Sequence, residues 1–330
     1  MMKRIFSLLV VFCLLFSTVS FADTQPKPIE IIPYDELPPL VEGQSHYLML
    51  CVDQWHGKTW NLGDTDGIII VTLDERAHRV MLTSIIRDAL VQRPDGVIGR
   101  INYIAKKFGP EELCKTISQH LGIRLEKYIL FDFSQIQDII DYMGGVDITI
   151  NSEEASYLRR YAIHKNATTP ALRSSGTYHF NGHAAVIYMR MRKAGGHGDF
   201  TRTKRARTVL STLADQCRTF TFEDARALVN SIAEHTTLTN LNADEMMNAA
   251  QIAFGLKNCT IEELRIPPDN AVHPITYVGM AAQELDWPVC RSVMSDYLVN
   301  SFLVLDPDTE LEAIDDFDEF NDFGSFSNFD

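Results

Sequence analysis

The sequence predicts a layered α/β/α fold, and three observations carry that expectation. Three apolar runs lie close together near the start of the domain, at 47–52, 67–73 and 79–84. Their continuous Val/Ile/Leu/Met character is that of strands covered on both faces. Helical spacing then appears at 111–121 and 134–142, and strand and helix signals go on alternating to about residue 302. Mixed strands and helices in this order bury their apolar faces as a sheet between helical layers. The central sheet is therefore expected to be mixed, in one domain spanning 46–302.

The elements follow in order. Tyr47 to Val52 reads as a buried strand ending at Asp53. Gly67 to Leu73 and Arg79 to Ser84 are the second and third. Gly144-Gly145 breaks the helix over 134–142 and leads into a strand at 146–150. AVIYMRMR reads as a further strand, which would put Arg190 and Arg192 on one face. The Gly-rich stretch Gly195, Gly196, Gly198 turns the chain into a helix over 200–217. Helical patterns follow at 222–235, 243–255 and 274–300, with a short strand at 259–265.

The ends differ from this core. Lys3 and Arg4, an apolar run from Ile5 to Phe16, and Ser20-Phe21-Ala22 have the form of a secretory signal over 1–22. Two readings stand, a cleaved signal and an uncleaved anchor; either places the rest of the chain outside the cytoplasm. Residues 23–45 hold five prolines among polar residues and read as an extended tether. Residues 303–330 read as a disordered acidic tail in which Phe317, Phe320, Phe323, Phe326 and Phe329 recur every third residue. The net charge of −14 is concentrated there, because no Lys or Arg follows Asp306. A pI of about 5.1 argues against nucleic acid as a partner. The six cysteines match no zinc spacing. A Cys259–Cys290 bridge and small buried thiols are the two readings for them.

The chemistry concentrates between Tyr188 and Arg205. Arg190 and Arg192 precede the glycines, and Asp199, Arg202 and Arg205 recur every three residues along the next helix. Guanidinium forks and a helix N-terminus together suit a phosphate or pyrophosphate. Arg87 follows the third strand and reaches the same sheet edge. Asp53 and Asp66 sit at strand ends, where each is either a turn cap or a ligand for Mg²⁺ shared with a pyrophosphate. Other classes fail sooner. His179 and His183 lack an HExxH frame and read as hairpin residues, Ser84 lacks G-x-S-x-G, and no Walker loop is present.

The ordered set DTDGIIIVTLD, LTSIIRDALV, GRINYIAKKFG, FDFSQIQDIIDYMGGVDITI, GTYHFNGHAAVIYMRMR and GDFTRTKR resembles the LytR-CpsA-Psr family. The resemblance implies an α/β/α sandwich enclosing an apolar lipid pocket. It also implies an extracytoplasmic phosphotransferase of Gram-positive envelopes, working at the membrane surface or cell wall. Such proteins move a glycopolymer from a polyprenyl-pyrophosphate carrier to peptidoglycan; wall teichoic acid, capsule and secondary wall polysaccharide all stay open. Asp53 and Asp66 then resemble the Mg²⁺-binding acids. Arg87, Arg190, Arg192 and Arg202 resemble the pyrophosphate-binding arginines, Arg205 the second helix arginine, and Asp199 a general base or orienter. The chain departs from the family pattern at Asp64, where Arg is usual, and at Ala206, where Gln is usual. Pro is usual at Ile86 and Gly at Cys51. These departures keep a second reading in view, a non-catalytic envelope regulator or scaffold that binds polyprenyl phosphates.

Overall fold

A computed structural model describes residues 25–53, 62–160, 167–192, 194, 198–236 and 238–299, with Gly198 and Asp199 as backbone only. The expected signal at 1–22 and acidic tail at 303–330 lie outside the described residues. The stretch 25–43 is extended apart from a 3-10 turn at Tyr34–Glu36, and it docks on the domain. Leu37 is buried, Ile29 packs on the main core, and the Ile32 N–H donates to the Gln119 carbonyl at 3.0 Å.

The first three strands are β1 (Gln44–Val52), β2 (Thr65–Asp74) and β3 (Arg79–Ile85). Along β1, residues 44, 46, 48, 50 and 52 are buried while 45, 47, 49 and 51 are half-buried. One face of the sheet thus meets a dense core and the other a looser layer. A small hairpin of β4 (Leu90–Gln92) and β5 (Ile98–Arg100) follows, then a 3-10 turn at Ile101–Tyr103 and α1 (Ile104–Phe108). Helix α2 (Pro110–Leu121) starts with proline in its first turn and ends on Gly122 at φ 70°, both suited to those positions.

Strand β6 (Lys127–Asp132) runs into α3 (Phe133–Tyr142) through a capping box between Asp132 and Gln135. A side sheet is built from β7 (Val146–Ile150), β8 (Thr168–Thr169) and β9 (Gly176–Phe180), with α4 (Ser152–Arg160) between the first two. Helices α5 (Gly182–Arg190), α6 (Gly198–Gln216) and α7 (Phe222–His235) come next. The chain closes with β10 (Leu238–Thr239), α8 (Ala243–Gly255), β11 (Thr260–Ile266), β12 (Val272–Tyr277), β13 (Met280–Leu285) and α9 (Trp287–Val299).

The central sheet has the order β10-β6-β1-β2-β3-β11. It is mixed, with β1/β6 and β3/β11 parallel and the other pairs antiparallel. Leu113, Ile117 and Leu121 of α2 join Trp287, Cys290, Met294 and Leu298 of α9 in the main core with Leu48, Leu50, Ile68 and Ile70 of the sheet. Helices α3, α6 and α7 lie over the opposite face. The three-layer α/β/α expectation is therefore met.

Two segments differ from expectation. Residues 182–190 form a helix, not a strand. Asn181 caps it by accepting from the Ala184 N–H, and Gly182 lies against α3 so closely that a Cβ there would sit 2.1 Å from the Gln137 carbonyl oxygen. Small Ala184 and Ala185, both fully buried, let the helix settle on that site, and tertiary packing overrides the β-like run. Residues 272–285 form the β12–β13 hairpin, so of the helix expected over 274–300 only the second half forms, as α9. Pro274 breaks a helix, and Val278-Gly279, at φ 49° and 68°, make the two-residue turn between paired Tyr277 and Met280. The Cys259–Cys290 bridge does not form: the two thiols are free and buried in separate clusters.

Candidate functional site

The looser face of the sheet is loose because it borders a cavity of about 1350 Å³, its open mouth included. Met49, Cys51, Gly67, Ile69 and Phe131 form its floor. Ile136, Ile139 and Ile140 of α3, with Met143 just past its end, wall it on one side, and Val209, Leu210 and Leu213 of α6 on the other. Leu228 and Ile232 of α7 cover it. Side chains of this kind exclude water and favour a long hydrocarbon at about 0.8 kcal/mol per buried methylene. Among the described residues that line it, charge appears only at Asp66, Arg190 and Arg202. Burial, reinforced by the Asp66 and Asp132 carboxylates, pushes the Cys51 thiol well above its ordinary range, so it lines the floor as a neutral group.

Asp66 is the hub of the charged end. Arg87 Nη1 donates to its Oδ1, Arg202 Nη1 donates to the same oxygen at 3.1 Å, and Arg192 Nη2 lies 3.7 Å from it. Burial alone would raise the Asp66 carboxyl, but the Arg202 and Arg87 guanidinium groups, with help from Arg192, hold it below the usual carboxylate range. Three cations on one carboxylate leave a net positive end, matched to a polyanion and not to a neutral ligand. Arg190 ends α5, and its guanidinium carbon lies 4.2 Å from the centre of the Phe133 ring. The expected shared strand face is thus replaced by a helix end and the extended segment after it. Arg190 and Arg192 still reach the same end of the cavity, Arg190 by lining it and Arg192 by facing Asp66.

Arg205 does not join this group, which corrects its reading as a substrate-binding residue. It is buried, with Nε donating to Glu154 Oε1 at 2.9 Å and Nη1 to the Met191 carbonyl at 2.9 Å. Nη2 donates to the Ala194 carbonyl. It ties down the segment that carries Arg192, so it acts on the site through position. The divergence from Arg202 follows from α6 lying between the cavity and the side sheet. Asp199 is in the first turn of α6, and its side chain lies outside the described residues. His179 is a hairpin residue, held by Asp147 and the Gly144 carbonyl, and His183 sits in α5.

For a metal, the donor chemistry fits a shared site. The closest contact of each of these three arginines to Asp66 falls on Oδ1. The Asp53 N–H donates to the Asp64 carbonyl at 3.3 Å, which sets the exposed Asp53 beside the start of β2. Among the described residues no cluster of three or more His, Cys, Asp or Glu could enclose an ion. Two hard carboxylates beside the arginine cluster are of the kind that would hold Mg²⁺. Sequence reasoning missed two neighbours. Lys106 Nζ donates to Asp64 Oδ1 at 3.0 Å and so offsets the carboxylate at that position. Phe133, the platform for Arg190, has no sequence signal because only the β6–α3 turn brings it there.

Residues 29–287 match the LytR_cpsA_psr family over more than half of the chain. The chain belongs to this family. It is 30% identical over 215 residues to the polyisoprenyl-teichoic acid–peptidoglycan teichoic acid transferase TagV of Bacillus subtilis, covering 62% of this chain and 52% of the relative. A TagU of Bacillus mycoides is 26% identical over 210 residues, covering 63% of this chain and 64% of that relative. The match therefore spans about half to two thirds of the length of these curated relatives. Among solved structures, TagT with bound octaprenyl pyrophosphate lipid superposes with a TM-score of 0.59 at 18% identity, covering 80% of this chain and 92% of that one. The fold is thus that of the LytR_cpsA_psr family. No helix among the described residues is long and apolar enough to cross a membrane.

Proposed function

We propose that this LytR_cpsA_psr protein transfers a glycopolymer from a polyprenyl-pyrophosphate carrier to peptidoglycan, at the outer face of the cell membrane. One observation carries the reading: four arginines and one carboxylate gather at the charged end of a long apolar cavity. The curated relatives carry transferase names of this kind, and one structural neighbour holds a polyprenyl pyrophosphate.

The prenyl chain lies between the sheet and helices α3, α6 and α7. Arg87, Arg190, Arg192 and Arg202 hold the two phosphates and spread their charge as the bond between them lengthens. Asp53 and Asp66 would hold Mg²⁺, which when bound supplies charge neutralisation at the leaving phosphate. An acceptor hydroxyl oxygen attacks the glycan-linked phosphorus and forms a new P–O bond. The bond from that phosphorus to the bridging oxygen breaks, and polyprenyl monophosphate leaves with the electron pair. The hydroxyl proton passes to a carboxylate, for which Asp199 is the sequence candidate. The result is a phosphodiester between glycopolymer and acceptor.

The full chain is expected to consume a polyprenyl-pyrophosphate glycan in a Mg²⁺-dependent way and to form a phosphodiester with added peptidoglycan. Arg190→Ala and Arg192→Ala should each lower that rate at least about tenfold, as loss of one electrostatic clamp does elsewhere. Unchanged rates in both would overturn the arrangement. Tight lipid binding with no turnover and no effect of Mg²⁺ would select the regulator reading, which Asp64 and Ala206 keep in view.

A further inference from the structure

The arginine cluster has a second side, away from the lipid. Arg190 and Arg202 line the cavity, whereas Arg87 does not. Beyond Arg87 the charged groups continue in one arc. Asp88 Oδ1 lies 3.6 Å from Arg87 Nε and 3.5 Å from Arg100 Nη1. Arg100 then reaches the Tyr103 ring, its guanidinium carbon 6.0 Å from the ring centre, and Lys106 Nζ lies 5.5 Å from the same centre. The arc is fixed by backbone. The Ile101 and Asn102 N–H groups donate to the Ala89 and Arg87 carbonyls at 2.9 and 3.3 Å.

Tyr103 is 37% exposed, although Ile101, Asn102, Ile104 and Ala105 around it are buried. Beside it stands the tip of the β12–β13 hairpin. Arg100 Nη2 lies 3.3 Å from Met280 Sδ, and the Gln283 N–H donates to the Asp88 carbonyl at 2.9 Å. At that tip Val278 is 63% exposed in the left-handed region, an outlier for a β-branched side chain. A part-exposed aromatic ring with two cations over it, and the Asp88 carboxylate one contact further on at Arg100, has the chemistry of a sugar site. The ring takes the C–H face of a sugar, and the charged groups take its hydroxyls.

We infer that Tyr103, with Arg100 and Met280 beside it, seats a sugar ring of the acceptor glycan. This rests on the transfer reading above. The occupant follows from in-line displacement, in which attacking and leaving oxygens stand on opposite sides of the phosphorus. The leaving phosphate departs towards the cavity, so the attacking hydroxyl arrives from the Arg87 side, where the Tyr103 shelf lies.

The test uses the full-length chain and a soluble tetrasaccharide of alternating N-acetylglucosamine and N-acetylmuramic acid as probe. Wild type and Tyr103→Trp should bind it, and Tyr103→Ala should bind about tenfold more weakly, the scale of one aromatic stacking contact. In the transfer assay Tyr103→Ala should raise the acceptor KM by a similar factor with kcat nearly unchanged. The Kd for polyprenyl pyrophosphate should stay the same. Equal tetrasaccharide binding by wild type and Tyr103→Ala would overturn the inference. So would a rise in donor KM instead of acceptor KM, which would assign the shelf to the donor glycan. Failure of wild type to bind polyprenyl pyrophosphate at all is a different result and would overturn the transfer reading itself.

Discussion

Asp66→Asn is expected to lower the transfer rate by at least about a hundredfold while tightening the metal-free grip on polyprenyl pyrophosphate. The two effects have opposite signs because Asp66 has two roles. Its Oδ1 faces Arg87, Arg192 and Arg202, so it competes with the pyrophosphate for three of the four cations. Removing its charge frees those guanidinium groups for the ligand. The same change removes the carboxylate that would hold Mg²⁺, and turnover falls. Titration of wild type and variant with lipid, with and without Mg²⁺, separates the two roles. The charged form persists at neutral pH, since the arginines hold the Asp66 carboxyl below its ordinary range. A depressed carboxyl contributes stability that is complete above the unfolded pKa of about 3.9 and is lost only as pH falls through the lower folded value. The Asp66 contribution should therefore be flat across neutral pH and disappear in acid. Weaker metal-free lipid binding by Asp66→Asn would contradict the account.

Ala206→Trp should abolish binding of the prenyl chain without unfolding the protein. Ala206 lines the cavity on α6, four residues after Arg202 and one turn along the same helix. An indole there fills space that the hydrocarbon needs, while the arginines keep their partners. Each displaced methylene forfeits about 0.8 kcal/mol, so excluding even two isoprene units costs more than a hundredfold in affinity. A water-soluble pyrophosphate ester with no long tail should still bind. Thermal unfolding should occur at or above the wild-type temperature, since the new ring replaces empty volume with contacts. Wild-type affinity of Ala206→Trp for a long-chain lipid would place the hydrocarbon elsewhere.

The central sheet was legible because its strands are long apolar runs between clear turns. The helices at 111–121, 134–142, 222–235 and 243–255 announce themselves by caps and periodicity that act locally, such as the Asp132/Gln135 and Thr221/Asp224 boxes. Residues 182–190 were misread because β-like composition is a weak signal, and the close seat of Gly182 on α3 is a tertiary fact. The hairpin at 272–285 was misread because apolar spacing outweighed the evidence of Pro274 and Val278-Gly279.

The site shows the same division. Arg87, Asp66, Arg192 and Arg202 meet as their sequence pattern implies. Arg205 shares that pattern but turns to Glu154, and no spacing rule separates it from Arg202. Phe133 and Lys106 meet Arg190 and Asp64 through contacts between elements distant in the chain.

The most direct measurement is a crystal structure of the protein grown with polyprenyl pyrophosphate and Mg²⁺. The account predicts prenyl density between the sheet and helices α3, α6 and α7, with phosphate oxygens within hydrogen-bond distance of Arg87, Arg190, Arg192 and Arg202. Phosphates bound away from those four arginines, or a prenyl chain lying on the outer surface with the cavity empty, would contradict it.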